Sequence, residues 1–484
     1  MSGTEGKHIV VSNAEPYKHV KGEGGRPVCE EVEGGLTTAM NPQMRETGGI
    51  WIAYGRGERD FDVNDADGKV EVPDYPGVAK EDKYTLKRLN FPDSQYANFY
   101  KGYANRILWP IFHSFPTKAD LHKENTYWQE GYLPTNKEYA RAVIESYEPG
   151  DTIWIHDYHL MLLPSLIREH LPNARMGFFL HIPWPALEVF LALPNHRDIV
   201  KQMCAYDMLG FQTKRDLANF QHYIRVEVGG RVDPDGTILA FGRRLTAGAY
   251  PISTDTQRVV EFAREAADAR QTQRLRESLR GRDMLIGVDR LDYSKGLLQR
   301  FRAFGTLLEN YPANRGRVVL MQIAPPSRQD VPEYLQLRQQ LESEAGHVNG
   351  AYAEFDWNPV RYLNKGFSRR ILAGFLRHGR VGVVTPLRDG MNLVAKEYVA
   401  AQNPDDPGVL MLSRFAGAAQ ELDGALLVNP YDAEGMAEAM QTALAMPLEE
   451  RRERWQSMFG RLETHDVDAW CRQVVGQLDR IGRD

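Results

Sequence analysis

Short apolar runs alternate along the chain with longer stretches whose apolar positions recur every three to four residues. In the first half the runs are KHIVVS (7–12), DTIWIH (151–156), RMGFFLH (175–181) and DMLGFQ (207–212). In the second half they are MLIGVDR (284–290), RVVLMQIA (317–324), RVGVVTP (380–386) and GVLML (408–412). Between them stand amphipathic helical patterns such as MLLPSLIREHL, GLLQRFRAFGTLLENYP and AEGMAEAMQTALAM. Near-continuous apolar strands separated by helices predict parallel sheets covered on both faces. The pattern runs twice. The fold class read from it is α/β: two Rossmann-like, doubly wound parallel-sheet domains facing each other across a cleft, with ligands expected at the carboxyl ends of the strands. The joint falls near AYPISTDT (249–256), giving a first domain over 1–250 and a second over 251–465. DVDAWCRQVVGQLDRI begins a final helix (466–484), expected to pack back on the first domain. Residues 54–95 interrupt the rhythm with Gly, Asp and Lys, and predict a surface excursion or small hairpin.

A chain of 484 residues exceeds one core and fits two domains. The net charge of −6 argues against a general nucleic-acid binder but leaves room for a local basic pocket. Cys29, Cys204 and Cys471 lie far apart without a CxxC, so neither a zinc ribbon nor a redox pair is suggested, and a reducing, cytoplasmic setting is expected. MSGTEGKH lacks the apolar core of a signal peptide, and no apolar run approaches the ~20 residues needed to span a bilayer.

The polar residues that follow the strands carry the candidate chemistry. GVDRLDYSKG (287–296) presents Arg290 and Lys295 on a loop before a helix N-terminus, a suitable grip for a diphosphate. The alternative is a surface loop whose cations pair with Asp289 and Asp292. TPLRDGMNLVAKEYVAAQ (385–402) turns through Asp389 into a helix carrying Glu397, two carboxylates suited to sugar or ribose hydroxyls. The alternative is that Asp389 caps the helix and that Lys396 and Glu397 form a solvated face. WIHDYHL and FFLHIPWP offer Asp157 and His181, whereas His156 and His159 read as structural or exposed. IAPPSRQD places Arg328 after another strand, and Gly34 and Gly35 precede a helix. No Walker motif, GxSxG or HExxH occurs, and the lack of GxGxxG after the first strand speaks against a dehydrogenase.

Taken together, IWIHDYHL, FFLHIPWP, RLDYSKGL, IAPPSR and TPLRDGMNLVAKEYVAAQNP closely resemble the trehalose-6-phosphate synthase family, retaining glycosyltransferases with the GT-B fold. The resemblance covers nearly the whole chain. It implies transfer of glucose from a nucleotide-glucose donor to glucose 6-phosphate, without a metal or cofactor, by a cytoplasmic homo-oligomer (dimer or tetramer) with no nucleic-acid or membrane partner. It implies that Arg290 and Lys295 hold the donor diphosphate. Glu397 would grip the ribose, Leu393 and Val394 offer backbone contacts, and Phe367 and Leu372 pack the base. Asp389, Met391 and Asn392 would hold the donor glucose, with His181 on the same sugar and Gly35 in a glycine loop over the donor. Trp51, Tyr100, Trp109 and Asp157 would line the acceptor side, with Arg328 in the grip on the acceptor phosphate. His181, Asp157, Arg290, Lys295 and Asp389 form the implied catalytic set. The base of the nucleotide (UDP, GDP or ADP) stays open.

The family usually reads Ser-Asn-Arg in the loop after the first strand, the arginine meeting the acceptor phosphate; here the position is Ala14. Losing one charge-assisted hydrogen bond costs about 1.5–3 kcal/mol. Three explanations fit: other cations bind the phosphate, Arg328 remaining and Lys18, His19 or Lys21 reaching in; the acceptor differs, as in relatives that join cyclitols; or the alanine was introduced. EPYKHV and WPIFHSFP (109–116) also resemble the glucosylglycerol-phosphate synthases, which use glycerol 3-phosphate, but these typically keep the arginine, so that resemblance does not explain Ala14. A catalytically silent sugar-nucleotide sensor is the rival from another class. Tyr54 stands where relatives often carry tryptophan, keeping an aromatic wall.

Overall fold

The computed structural model describes residues 6–32, 34–327 and 332–481. The chain divides into two compact units, Met1–Pro251 with Asp468–Asp484, and Ile252–Val467.

The first unit carries strands β1 (His8–Ala14), β2 (Tyr17–Lys21), β3 (Pro27–Glu31), β4 (Ile50–Tyr54), β5 (Lys69–Val72), β6 (Tyr84–Leu89), β7 (Thr152–His156), β8 (Arg175–Phe179), β9 (Met208–Phe211), β10 (Arg231–Val232), β11 (Thr237–Ala240) and β12 (Arg243–Ala249). Ten of them form one sheet in the order β10-β11-β12-β9-β8-β7-β1-β4-β6-β5, and β2 and β3 make a separate hairpin. The stretch from β12 to β6 is parallel throughout, with antiparallel pairs only at the two edges. Ile153, Trp154, Ile155, Met176, Phe178 and Phe179 are buried, which is why β7 and β8 read as unbroken apolar runs.

The 54–95 excursion is only partly an excursion. β5 and β6 do form a hairpin, but β6 lies inside the main sheet beside β4. Its Lys87 and Arg88 are buried because carboxylates distant in sequence meet them: Lys87 Nζ lies 3.0 Å from Glu145 and Arg88 Nε 2.8 Å from Glu15.

The helix Val467–Arg480 lies on this sheet. Trp470 packs 5.5 Å from Trp154 and 5.0 Å from Phe179, and its indole N–H donates to the Tyr250 carbonyl. Gly177 makes room for it, since a Cβ there would sit 2.8 Å from Leu478.

The second unit carries β13 (Asp283–Val288), β14 (Val318–Ile323), β15 (Val360–Leu363), β16 (Val381–Val384), β17 (Val409–Ser413) and β18 (Leu426–Val428) in a wholly parallel sheet ordered β15-β14-β13-β16-β17-β18. Each sheet has one point where winding reverses: between β1 and β7 in the first, between β13 and β16 in the second. Ligands of doubly wound sheets bind outside the carboxyl ends of the strands at such a point.

Candidate active site

At the second reversal point the loops after β13 and β16 lock together. Leu387 N–H donates to the Ser294 carbonyl at 2.7 Å. Gly296 adopts φ +67°, and a Cβ there would stand 2.1 Å from the Thr385 carbonyl oxygen. Only glycine fits so close an approach. Gly296→Ala is therefore expected to cost at least the roughly 1–2 kcal/mol of a left-handed non-glycine residue, and to displace Lys295. Thermal denaturation together with donor titration checks both effects.

The loop's charges are sorted between structure and site. Buried Asp289 pairs with Arg300 at 2.8 Å, and Arg300 is held further by Gln322 and Thr385. Asp292 accepts from the Ser294 backbone and hydroxyl and from Tyr334. Lys295 turns the other way, 2.5 Å from Asp389, and the Asn392 amide donates to the same carboxylate oxygen at 3.0 Å. Arg290 is exposed at the strand end. The Lys295 side chain thus pairs with Asp389 and not with Asp289 or Asp292, against one of the two readings of this loop.

Nor does Asp389 cap the helix Leu393–Ala401. Its carboxylate is taken by Lys295 and Asn392, and Asn392, at φ +76°, precedes the helix without a side-chain cap. Gly417 N–H donates to the Asp389 carbonyl and Ala418 N–H to the Met391 carbonyl, fixing the turn. Lys396 is no solvated residue: it is buried against Glu421 at 2.7 Å and the Ile252 carbonyl, and burial lowers its basicity despite that partner. Glu397 stays partly exposed beside Arg369 at 3.4 Å. The pair edges a small slot lined by Val259, Phe262, Leu372, Ala373 and Leu376. Phe367 packs edge-on against Phe375.

At the first reversal point the ends of β7 and β8 meet. Asp157 holds φ +76°, a strained conformation for a non-glycine residue. Its carboxylate accepts the His181 backbone N–H at 3.2 Å. His181 Nε2 and His156 Nδ1 share a hydrogen bond of 3.2 Å. His181 keeps part of its ring at the surface but is walled by His156, Phe179 and Trp470. Desolvation pushes its pKa down to about 3, and burial lowers His156 as well. Both rings are neutral at pH 7, so His181 acts as a hydrogen-bonding group and not as a cation.

A ladder of rings runs beside them. Tyr54 stacks on Tyr96 at 3.8 Å, Tyr96 on Tyr100 at 5.5 Å, and Tyr100 on His159 at 5.8 Å. The Tyr96 hydroxyl bonds Asn13, next to Ala14. Trp51, by contrast, is 0 % exposed and donates to Ser12 Oγ, so it packs in the core; Tyr54 is the ring of that strand that joins the ladder. Trp109 is 5 % exposed and packs on His113 and Tyr158. Gly35 opens the helix Gly35–Thr47. Arg328 lies outside the described residues.

Behind Ala14 sits a buried ionic cluster that the sequence reading missed. Arg88 bonds Glu15 at 2.8 Å, Asp60 at 3.2 Å, the Tyr17 carbonyl and His19 Nδ1. Burial, then the charge of Asp60, raises Glu15. Burial also pushes on Asp60, but its hydrogen bonds with His19 and the Arg88 charge outweigh this and hold it low.

Residues 6–480 match the model of Glycosyltransferase family 20. The chain belongs to that family. This glycosyltransferase is 44 % identical over 482 residues to the trehalose-6-phosphate synthase of Sinorhizobium fredii, covering 98 % of the chain and 99 % of the relative. It resembles the alpha,alpha-trehalose-phosphate synthase (UDP-forming) from Burkholderia xenovorans solved in complex with glucose-6-phosphate, at 42 % identity, TM-score 0.87, and 98 % and 100 % coverage. It also resembles the E. coli protein solved with UDP-2-fluoro glucose, at 36 % identity, TM-score 0.88, and 98 % and 99 % coverage. The two parallel-sheet units of this family 20 enzyme are those of the GT-B fold. Among its described residues no helix is long and apolar enough to cross a membrane.

Proposed function

We infer that the enzyme transfers glucose from UDP-glucose to glucose 6-phosphate with retention, forming trehalose 6-phosphate. The observation that carries this reading is the Lys295–Asp389–Asn392 group locked at the reversal point of the second sheet. It supplies a cation for the departing diphosphate and a carboxylate and amide for sugar hydroxyls. The relatives described as UDP-forming, and as holding glucose-6-phosphate or a UDP-glucose analogue, support the choice of substrates.

In this reading the second unit holds the donor. Arg290 and Lys295 grip the diphosphate and bind it more strongly as charge develops on it, which lowers the barrier. Glu397 takes the ribose at the edge of the apolar slot that receives the base. The first unit holds the acceptor along the Tyr54–Tyr96–Tyr100 ladder and Asp157, with neutral His181 on the donor sugar. Retention follows from attack on the face the nucleotide leaves, the departing phosphate taking the acceptor proton. No metal enters this scheme. Assembly as a dimer or tetramer is carried over with the family and is measured by sedimentation.

The stretches EPYKHV (15–20) and WPIFHSFP (109–116) favour one second reading, transfer to glycerol 3-phosphate as in the glucosylglycerol-phosphate synthases they resemble. UDP release from UDP-glucose, with glucose 6-phosphate, glycerol 3-phosphate or no acceptor, separates the two. We expect release dependent on glucose 6-phosphate and unchanged by a chelator. Release with glycerol 3-phosphate alone supports the second reading.

A further inference from the structure

We propose that Arg56 joins the grip on the acceptor phosphate in this enzyme, taking the place of the arginine missing at Ala14 and doing so from the strand next to the one whose end carries Ala14. The inference rests on the acceptor reading above.

The backbone puts Arg56 beside the end of β1. Ala14 is in register with Tyr54 across the β1–β4 pair. Two residues beyond Tyr54, the Arg56 backbone N–H donates to Glu15 Oε1 at 2.8 Å, and Glu15 follows Ala14 directly. Flanking bonds fix the segment: Gly55 N–H to the Leu89 carbonyl, and Gly57 N–H to Asp60 at 2.6 Å. The Arg88 cluster therefore anchors the main chain of Arg56 and leaves its side chain exposed.

A phosphorylated acceptor needs a cation that is not already taken. Among the described residues of the segments after β1 and β4, most cations are spent or distant. Lys18 pairs with Glu30 at 3.1 Å. His19 is buried between Asp60 and Asp74. Arg59 pairs with Asp62 and bonds the Gly25 carbonyl. Lys21 and Arg26 stand at the turn end of the β2–β3 hairpin, where Lys21 is in register with Pro27. Arg56 alone of these combines the right place with a guanidinium that forms no ion pair among the described residues.

Its charge also reaches the walls of the site. Burial raises the phenols of Tyr54, Tyr96 and Tyr139, and the Arg56 charge acts against that rise at all three. Tyr96 bonds Asn13, and the Tyr139 hydroxyl donates to the Ser12 carbonyl, so two of the phenols that feel the Arg56 charge touch the last residues of β1. A guanidinium suits a phosphate better than an ammonium because its fork can donate two parallel hydrogen bonds.

The test compares the native protein, Arg56→Ala, Arg56→Lys and the double variant Ala14→Arg/Arg56→Ala. UDP release from UDP-glucose is measured with glucose 6-phosphate and, separately, with unphosphorylated glucose. Arg56→Ala is expected to raise KM for glucose 6-phosphate about ten- to a hundredfold. KM for UDP-glucose and the rate with glucose should hold, and Lys at 56 or Arg at 14 should recover part of the loss. An unchanged KM for glucose 6-phosphate, or an equal loss with both acceptors, overturns the assignment while the native enzyme still turns over. Native protein inactive with glucose 6-phosphate overturns the acceptor reading itself, and the assignment with it.

Discussion

Lys295→Ala is expected to lower kcat by about 10²–10³-fold, the loss seen when one fixed electrostatic donor is removed from a site of developing charge. Lys295 stands at the carboxyl end of β13, held by Gly296 against the Thr385 carbonyl and by Asp389 at 2.5 Å. Its partner Asp389 also accepts from Asn392, so the carboxylate keeps one donor after the substitution. The folded state should therefore tolerate the change far better than the transition state does. Two measurements separate the possibilities: kcat from UDP release, and melting temperature. A merely structural lysine would lower the melting temperature and leave kcat of the folded fraction intact. Lys295→Arg should recover little, because a planar fork does not replace a point charge set against one carboxylate.

Arg88→Met carries the largest expected cost in stability, about 3–5 kcal/mol, because it leaves buried carboxylates without their cation. Arg88, Glu15 and Asp60 have fully buried side chains, and His19 nearly so. A methionine fills much of the volume, so the loss reports charge more than packing. The loss should also depend on pH. Burial and Asp60 hold Glu15 above its ordinary value of 4.5. A carboxyl raised in the folded state contributes stability that is full below 4.5 and is lost as pH rises through the raised value. Without Arg88 that rise is larger, so the variant should weaken more steeply than the native protein between about pH 5 and 8. Denaturant melts across that range check it; a parallel loss at every pH contradicts it.

The parts of the fold legible in the sequence are those whose burial is local. β7, β8, β13 and β16 are apolar along their centres, and each ends in a polar loop, so DTIWIH, RMGFFLH, MLIGVDR and RVGVVTP announce both strand and candidate site. β6 was hidden because Lys87 and Arg88 are buried against partners distant in sequence, Glu145 and Glu15 among them, which lie 58 and 73 residues away. Trp51 and Tyr54 could not be told apart by alternation, since β4 is covered on both faces, and only the sheet shows which ring reaches Tyr96. The same holds for Arg56: its neighbourhood to Ala14 exists only through the β1–β4 register. Asp389 was legible as a candidate site residue, whereas its choice of Lys295 over a helix cap depends on how two loops interlock.

The most direct test is to incubate the purified native protein with UDP-glucose and glucose 6-phosphate and to read the product's anomeric carbons by NMR. The account predicts a 1,1-linked disaccharide phosphate with both centres α, formed in step with UDP release. A β-configured transferred glucose, or UDP release without any sugar phosphate product, would contradict it.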